Sequence, residues 1–160
     1  MYVNSDLFNT FTRSHDDVSM SLRITHLGTG SRGSSTLLET DDVKVLIDQG
    51  FSGAQLQKRL GLLNIEPDEI DCVLLSHHHG DHGGGATILQ KKWSTKILAN
   101  ERTAMELGLD PMLTSYFGHL DLIRIGDELT VLPVPVRMPA QTMLHLSPVI
   151  GEKGRQSSLI

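Results

Sequence analysis

Leu74-Leu75-Ser76-His77-His78-His79-Gly80-Asp81-His82-Gly83-Gly84-Gly85 is the stretch on which the reading of this chain turns. The apolar run Cys72-Val73-Leu74-Leu75 leads straight into it, so a buried strand ends in imidazoles and a carboxylate. If the backbone stays extended past Ser76, His77 and His79 project to one side and His78 to the other, because side chains alternate along a strand. Two imidazoles then meet one cation. Gly80 turns the chain, and Asp81 and His82 follow as a mixed oxygen and nitrogen pair for a second divalent ion. Imidazole and carboxylate donors favour zinc, with iron or manganese as substitutes. With only 8 His in 160 residues, a chance His-x-His-x-Asp-His is on the order of one in a thousand.

Outward from this stretch, short strands are expected at Arg23 to Leu27, Ser35 to Thr40 and Val43 to Ile47, forming a meander. Ser52 caps a helix reaching Leu63, with Leu56, Leu60 and Leu63 on its buried face and Gln57, Lys58 and Arg59 toward solvent. Further helices are expected over Ala86 to Lys92 and Glu101 to Leu107, with a strand at Lys96 to Leu98 between them. Asp121 to Ile125 and Glu128 to Val136 form a hairpin around Gly126-Asp127. Gly28-Thr29-Gly30-Ser31-Arg32-Gly33 matches a dinucleotide-binding pattern literally, with Asp48 downstream. Only nine residues separate Gly33 from Val43, too few for the long helix such a site needs, so a tight turn is expected. Lys91-Lys92-Trp93 is a helix end with one buried ring, and the isolated His119 and His145 are not expected to be ligands.

Length and composition fit one ordinary α/β domain with a real core. A single Cys72 excludes an internal disulfide and makes a reducing cytoplasm the expected compartment. No segment is apolar enough to span a bilayer, and no membrane partner is expected. The net charge of −5 argues against a chain-wide nucleic-acid footprint. Bound divalent ions would still make the site cationic, which keeps phosphodiesters open as substrates. Residues 1–20 are expected to be a disordered leader, 21–136 the folded domain and 137–160 an atypical tail without strand periodicity.

At His77, His79, Asp81 and His82 the sequence resembles the metallo-beta-lactamase superfamily. Gly30 to Thr36, Leu46-Ile47-Asp48 with Gly50, Ser52-Gly53 and Ile97 to Glu101 extend the likeness toward its YycJ/WalJ-like members over roughly residues 22 to 136. The resemblance implies an αββα sandwich, of which this chain holds the N-terminal portion. It also implies two divalent metal ions, with His77 and His79 serving the first and Asp81 and His82 the second. His78 is a bystander. Asp48 resembles the carboxylate that supports the metal ligands from behind, by accepting an imidazole N–H. Asp81 is the candidate catalytic residue, orienting a metal-activated hydroxide. The implied activity is that of a metal-dependent hydrolase of phosphodiesterase or nuclease type, acting on nucleic acid or a small phosphodiester. A catalytically inactive metal-binding fragment and a glyoxalase-type thioester hydrolase are the alternatives.

The likeness lapses after Val136. A Ser-His pair, a bridging Asp and a distal His are expected there, and Arg137-Met138-Pro139-Ala140 stands in their place. A frameshifted tail, or alternatively a natural truncation, is the expectation. Such a half-sandwich is expected to leave an apolar sheet face bare, favouring a homodimer or poor solubility.

Overall fold

The computed structural model of the chain describes residues 8–12, 21–127, 129–135 and 142–148. In chain order the strands are β1 (Phe8–Thr12), β2 (Ser21–Gly28), β3 (Ser35–Glu39) and β4 (Lys44–Ile47), followed by helix α1 (Gly53–Gly61) and β5 (Cys72–Leu74). Helices α2 (Gly80–Gly83) and α3 (Ala86–Trp93) precede β6 (Lys96–Ala99), α4 (Glu101–Leu107) and β7 (Thr114–Tyr116). A second sheet uses β8 (Ile123–Ile125), β9 (Leu129–Pro135) and β10 (Thr142–Pro148).

The first sheet runs β1-β2-β3-β4-β5-β6-β7 in space, and the second runs β10-β9-β8. The expected meander is present as antiparallel β2, β3 and β4. From β4 onward the pairing is parallel, with helices in the crossovers, as α/β units require. Because β3 begins at Ser35, directly after the glycine-rich turn, no helix follows that turn and the dinucleotide reading fails.

Alternation along the central strands builds two cores. Leu37, Leu46, Val73 and Ile97 face one side, where Leu56 and Leu60 of α1, Leu89 of α3 and Ala104 of α4 cover them. Their neighbours Leu38, Val45, Cys72 and Leu74 face the other side, against Ile125, Leu129 and Val131 of the second sheet. A strand apolar on both faces needs two layers over it, and both are there. The described residues thus supply helices, a seven-stranded sheet and a three-stranded sheet, part of an αββα sandwich.

Several expectations are corrected. The apolar sheet face is not bare: Leu38 and Leu74 are at most 1% exposed beneath the second sheet, which removes that face as a reason for dimerisation. Within the leader, Phe8–Thr12 form a strand paired with β2. Within the tail, Thr142–Pro148 pair with β9 despite lacking alternation, because backbone pairing fixes them where the pattern is silent. The other residues of the leader and tail, including Val136 and Arg137 to Ala140, lie outside the described residues. Helix α1 ends at Gly61, short of Leu63, and Arg59 turns inward, its guanidinium 4.2 Å from the Phe51 ring centroid.

Cys72 tests the sheet-on-sheet packing. Burial, aided by Asp71 and opposed by Lys96, pushes its thiol up to about 12, so almost no thiolate forms at neutral pH. A thiol reagent such as DTNB should find no reactive group in the native chain and one equivalent after denaturation. Prompt native labelling would mean that the second sheet does not stay closed over β5.

Candidate metal centre

Strands β4 and β5 lie side by side with Ile47 opposite Leu74, so the residues after each emerge at the same sheet edge. Asp48 donates its backbone N–H to the Leu74 carbonyl at 2.8 Å and takes a left-handed φ of 59°. Aspartate tolerates that conformation better than most residues. The turn drives its carboxylate, 8% exposed, under the histidine cluster.

There Asp48 organises two imidazoles. Its Oδ1 accepts from the Ser76 N–H at 2.8 Å, and the Ser76 hydroxyl lies 2.8 Å from both carboxylate oxygens. Its Oδ2 stands 2.7 Å from His82 Nδ1. An ionised carboxylate can only accept, so His82 Nδ1 carries a proton, and the Ser76 hydroxyl spends its own on Asp48. The 2.9 Å contact from Ser76 Oγ to His77 Nδ1 must then run from the ring N–H to the hydroxyl oxygen. Both rings thereby carry a proton on Nδ1, which leaves Nε2 as the nitrogen each can offer a cation. Burial, reinforced by His82, holds His77 below the ordinary imidazole range, which keeps it neutral at pH 7.

The remaining expected ligands reach the same place by a different geometry from the extended one. The strand stops at Leu74, and His79 caps α2, its carbonyl accepting from His82 and Gly83 N–H groups at 2.9 and 2.8 Å. Asp81 and His82 therefore sit on one short helical turn. The His77 ring centroid lies 4.7 Å from His79 and 4.3 Å from His82. Asp81 Oδ2 is 3.8 Å from His82 Nε2, less than twice the roughly 2.1 Å of a zinc bond to oxygen or nitrogen, so one cation can meet both. Among the described residues no group of three His, Cys, Asp or Glu side chains is placed to hold a metal ion. The donors present fit a divalent cation in chemistry and tautomer and leave each shell to be completed.

Sequence reasoning passed over Ser76, although its place just before the histidines is a usable signal for a hydroxyl in the supporting network. Close backbone approach explains Gly50 and Gly85. A Cβ on Gly50 would sit 1.9 Å from the Asp81 carbonyl oxygen, and one on Gly85 would sit 2.1 Å from the Phe51 carbonyl oxygen. Ser34 donates its N–H to that Asp81 carbonyl at 2.7 Å and accepts from Gly50 N–H at 3.1 Å, which locks three loops together. His78 is half-buried with Nδ1 unpartnered among the described residues. His119 is exposed on a separate turn. The His145 side chain lies outside the described residues.

Residues 28–154 match the metallo-beta-lactamase superfamily. Over 82 residues the chain is 40% identical to the exodeoxyribonuclease WalJ of Streptococcus pneumoniae, covering 50% of this chain and 30% of that protein. Over 122 residues it is 28% identical to a hydroxyacylglutathione hydrolase of Nitrobacter winogradskyi, covering 71% of this chain and 45% of that one. Among solved structures it resembles the Rm3 metallo-beta-lactamase in fold, with a TM-score of 0.63 at 22% identity, over 80% of this chain and 55% of that chain. The chain spans less than half the length of the two sequence relatives.

Two substitutions probe the scaffold. Asp48→Asn removes the charge that fixes both tautomers and should weaken zinc binding by about 10- to 100-fold, read by competition with a chromophoric chelator. Unchanged affinity would deny Asp48 its orienting role. Gly50→Ala should lower stability by about 2 to 4 kcal/mol in denaturant unfolding, since Asp81 backbone must move to admit the methyl group. A loss below about 0.5 kcal/mol would show that these loops yield easily.

Proposed function

The chain belongs to the metallo-beta-lactamase superfamily, and on that premise we propose that it carries the ligand-bearing motif of a metal-dependent hydrolase that cleaves phosphodiesters in nucleic acid. The observation that carries the reading is the Asp48 network, which leaves His77 Nε2 and His82 Nε2 free at one sheet edge. The 40% identity to an exodeoxyribonuclease supports the choice of substrate class.

His77 and His79 would hold one divalent ion, and Asp81 and His82 a second, zinc being the first choice and manganese or iron substitutes. When bound, such ions supply Lewis acidity and lower the pKa of water toward neutrality. The chain's own residues do the rest. Asp48 fixes the Nδ1 proton of His82 directly, and that of His77 through Ser76, so that Nε2 is the nitrogen each ring can offer. Asp81, its side chain 37% exposed, is accessible enough to accept and orient the proton of an attacking water. Gly50 lets the Asp81 backbone close onto the sheet edge, so the carboxylate is held by packing.

The likeness to a hydroxyacylglutathione hydrolase favours a second reading, hydrolysis of a thioester by the same centre. For the compartment, we propose the reducing cytoplasm on the strength of the single, buried Cys72. No helix among the described residues is long and apolar enough to cross a membrane.

The test is metal content per chain together with turnover of bis(p-nitrophenyl) phosphate and of a glutathione thioester, for the wild type and for His79→Ala. The nuclease reading expects phosphodiester turnover that falls at least about 100-fold in the variant, vanishes on chelation and returns with zinc or manganese. Phosphodiester turnover indifferent to His79→Ala or to chelation would overturn it. Thioester turnover alone would select the second reading, and metal uptake without turnover would make the chain a metal-binding fragment.

A further inference from the structure

The glycine-rich turn 28–33 stays outside the metal centre as described so far, yet its backbone is tied to that centre. Ser34 donates to the Asp81 carbonyl, and only Gly33 lies between Ser34 and Arg32, a span of at most about 7 Å. Thr29, Gly30, Ser31 and Arg32 are exposed, and among the described residues their N–H groups find no intramolecular acceptor. Gly33 N–H closes the turn on the Gly30 carbonyl at 3.0 Å. An added Cβ on Gly30 would meet nothing within 4 Å, so there is open space at the tip. Successive free backbone N–H groups in a tight turn make an anion-binding concavity.

Two arginines add charge. Arg32 is exposed on the turn itself. Arg59 reaches it from α1: its guanidinium donates to the Leu27 carbonyl, rests on Phe51, and lies 3.1 Å from where a Cβ of Gly28 would be. Phe51 also backs Gly33, so one ring positions both the turn and the guanidinium. Among the described residues neither arginine pairs with a carboxylate. The turn and the helix that meet here, residues 28–38 and 49–65, contain no Asp or Glu and carry Arg32, Lys58 and Arg59, while Arg23 lies at the far end of β2 beside Glu39. On a chain of net charge −5 this is a local basic island beside the donor cluster.

We infer that the turn 29–33, with Arg32 on it and Arg59 beneath it, is a phosphate-binding subsite that holds a nucleic-acid strand at a phosphate next to the one being cleaved. The inference rests on the nuclease reading for its substrate. Exposed N–H donors and bidentate guanidinium groups match phosphate oxygens and carry no base preference, so the strand is gripped without regard to sequence.

The test is fluorescence anisotropy of a short fluorescein-labelled single-stranded DNA of mixed sequence across a salt series. It compares the wild-type chain, Arg32→Gln, and Lys92→Gln as an equal charge change elsewhere on the surface. Arg32→Gln should weaken binding about 3- to 10-fold and reduce the slope of log affinity against log salt by about 0.7, the share of one phosphate on a single strand. Lys92→Gln should leave the slope as it is. Unchanged binding in Arg32→Gln, or an equal loss in Lys92→Gln, would overturn the subsite. Wild-type turnover of bis(p-nitrophenyl) phosphate, which has a single phosphodiester, reports separately on the hydrolase reading. No turnover with Arg32-dependent binding would retain the subsite and reject the nuclease, whereas turnover with Arg32-independent binding would do the reverse.

Discussion

One carboxylate sets the chemistry of this site. Asp48 accepts from His82 directly and, through the Ser76 hydroxyl, fixes the proton on His77, so two rings from different parts of the motif present the same nitrogen outward. The alternative tautomer of either ring would point a hydrogen at the place a cation must occupy. Half-buried and hydrogen-bonded, the network is protected from the competition with water that would scramble an exposed one. Its position follows from the parallel pairing of β4 with β5, which carries Asp48 and Ser76 to the same edge.

Close backbone packing then fixes where that edge can be reached. Gly50 and Gly85 permit approaches that any side chain would block, bringing the Asp81 carbonyl, Ser34 and Phe51 into one knot of loops. The knot joins the histidine-bearing turn to the glycine-rich turn, so a chain that is acidic as a whole sets the arginine-bearing turn beside its carboxylate and imidazoles. The proposed phosphodiester substrate would use both features, one phosphate drawing on Lewis acidity and its neighbour on positive charge. A thioester would use the first and have less call on the second.

Sheet packing supplies the rigidity beneath. Leu37 and Leu38, or Val73 and Leu74, are consecutive in sequence and buried on opposite faces, one under helices and the other under the second sheet. A site at the edge of a sheet clamped on both faces keeps its ligand geometry without help from the loops alone.

Much of this was legible in the sequence, because local pattern carries local structure. The apolar strand into His77, the Ser52 cap of α1 and the Gly126-Asp127 hairpin are short-range signals, and each element lies where its signal puts it, with α1 ending early. The residue types of the cluster, imidazoles and a carboxylate, were legible too. What escaped the sequence is long-range. The pairing of Phe8–Thr12 with β2 and of Thr142–Pro148 with β9 rests on backbone bonds that leave no periodicity. The inward turn of Arg59 depends on a ring and a carbonyl supplied by other elements. The sequence by itself determined which donor side chains, imidazoles and a carboxylate, follow the buried strand. Only the tertiary structure decided which nitrogen each ring offers and which arginine stands beside them, because hydrogen-bond partners 28 and 34 residues apart meet only once the sheet has formed.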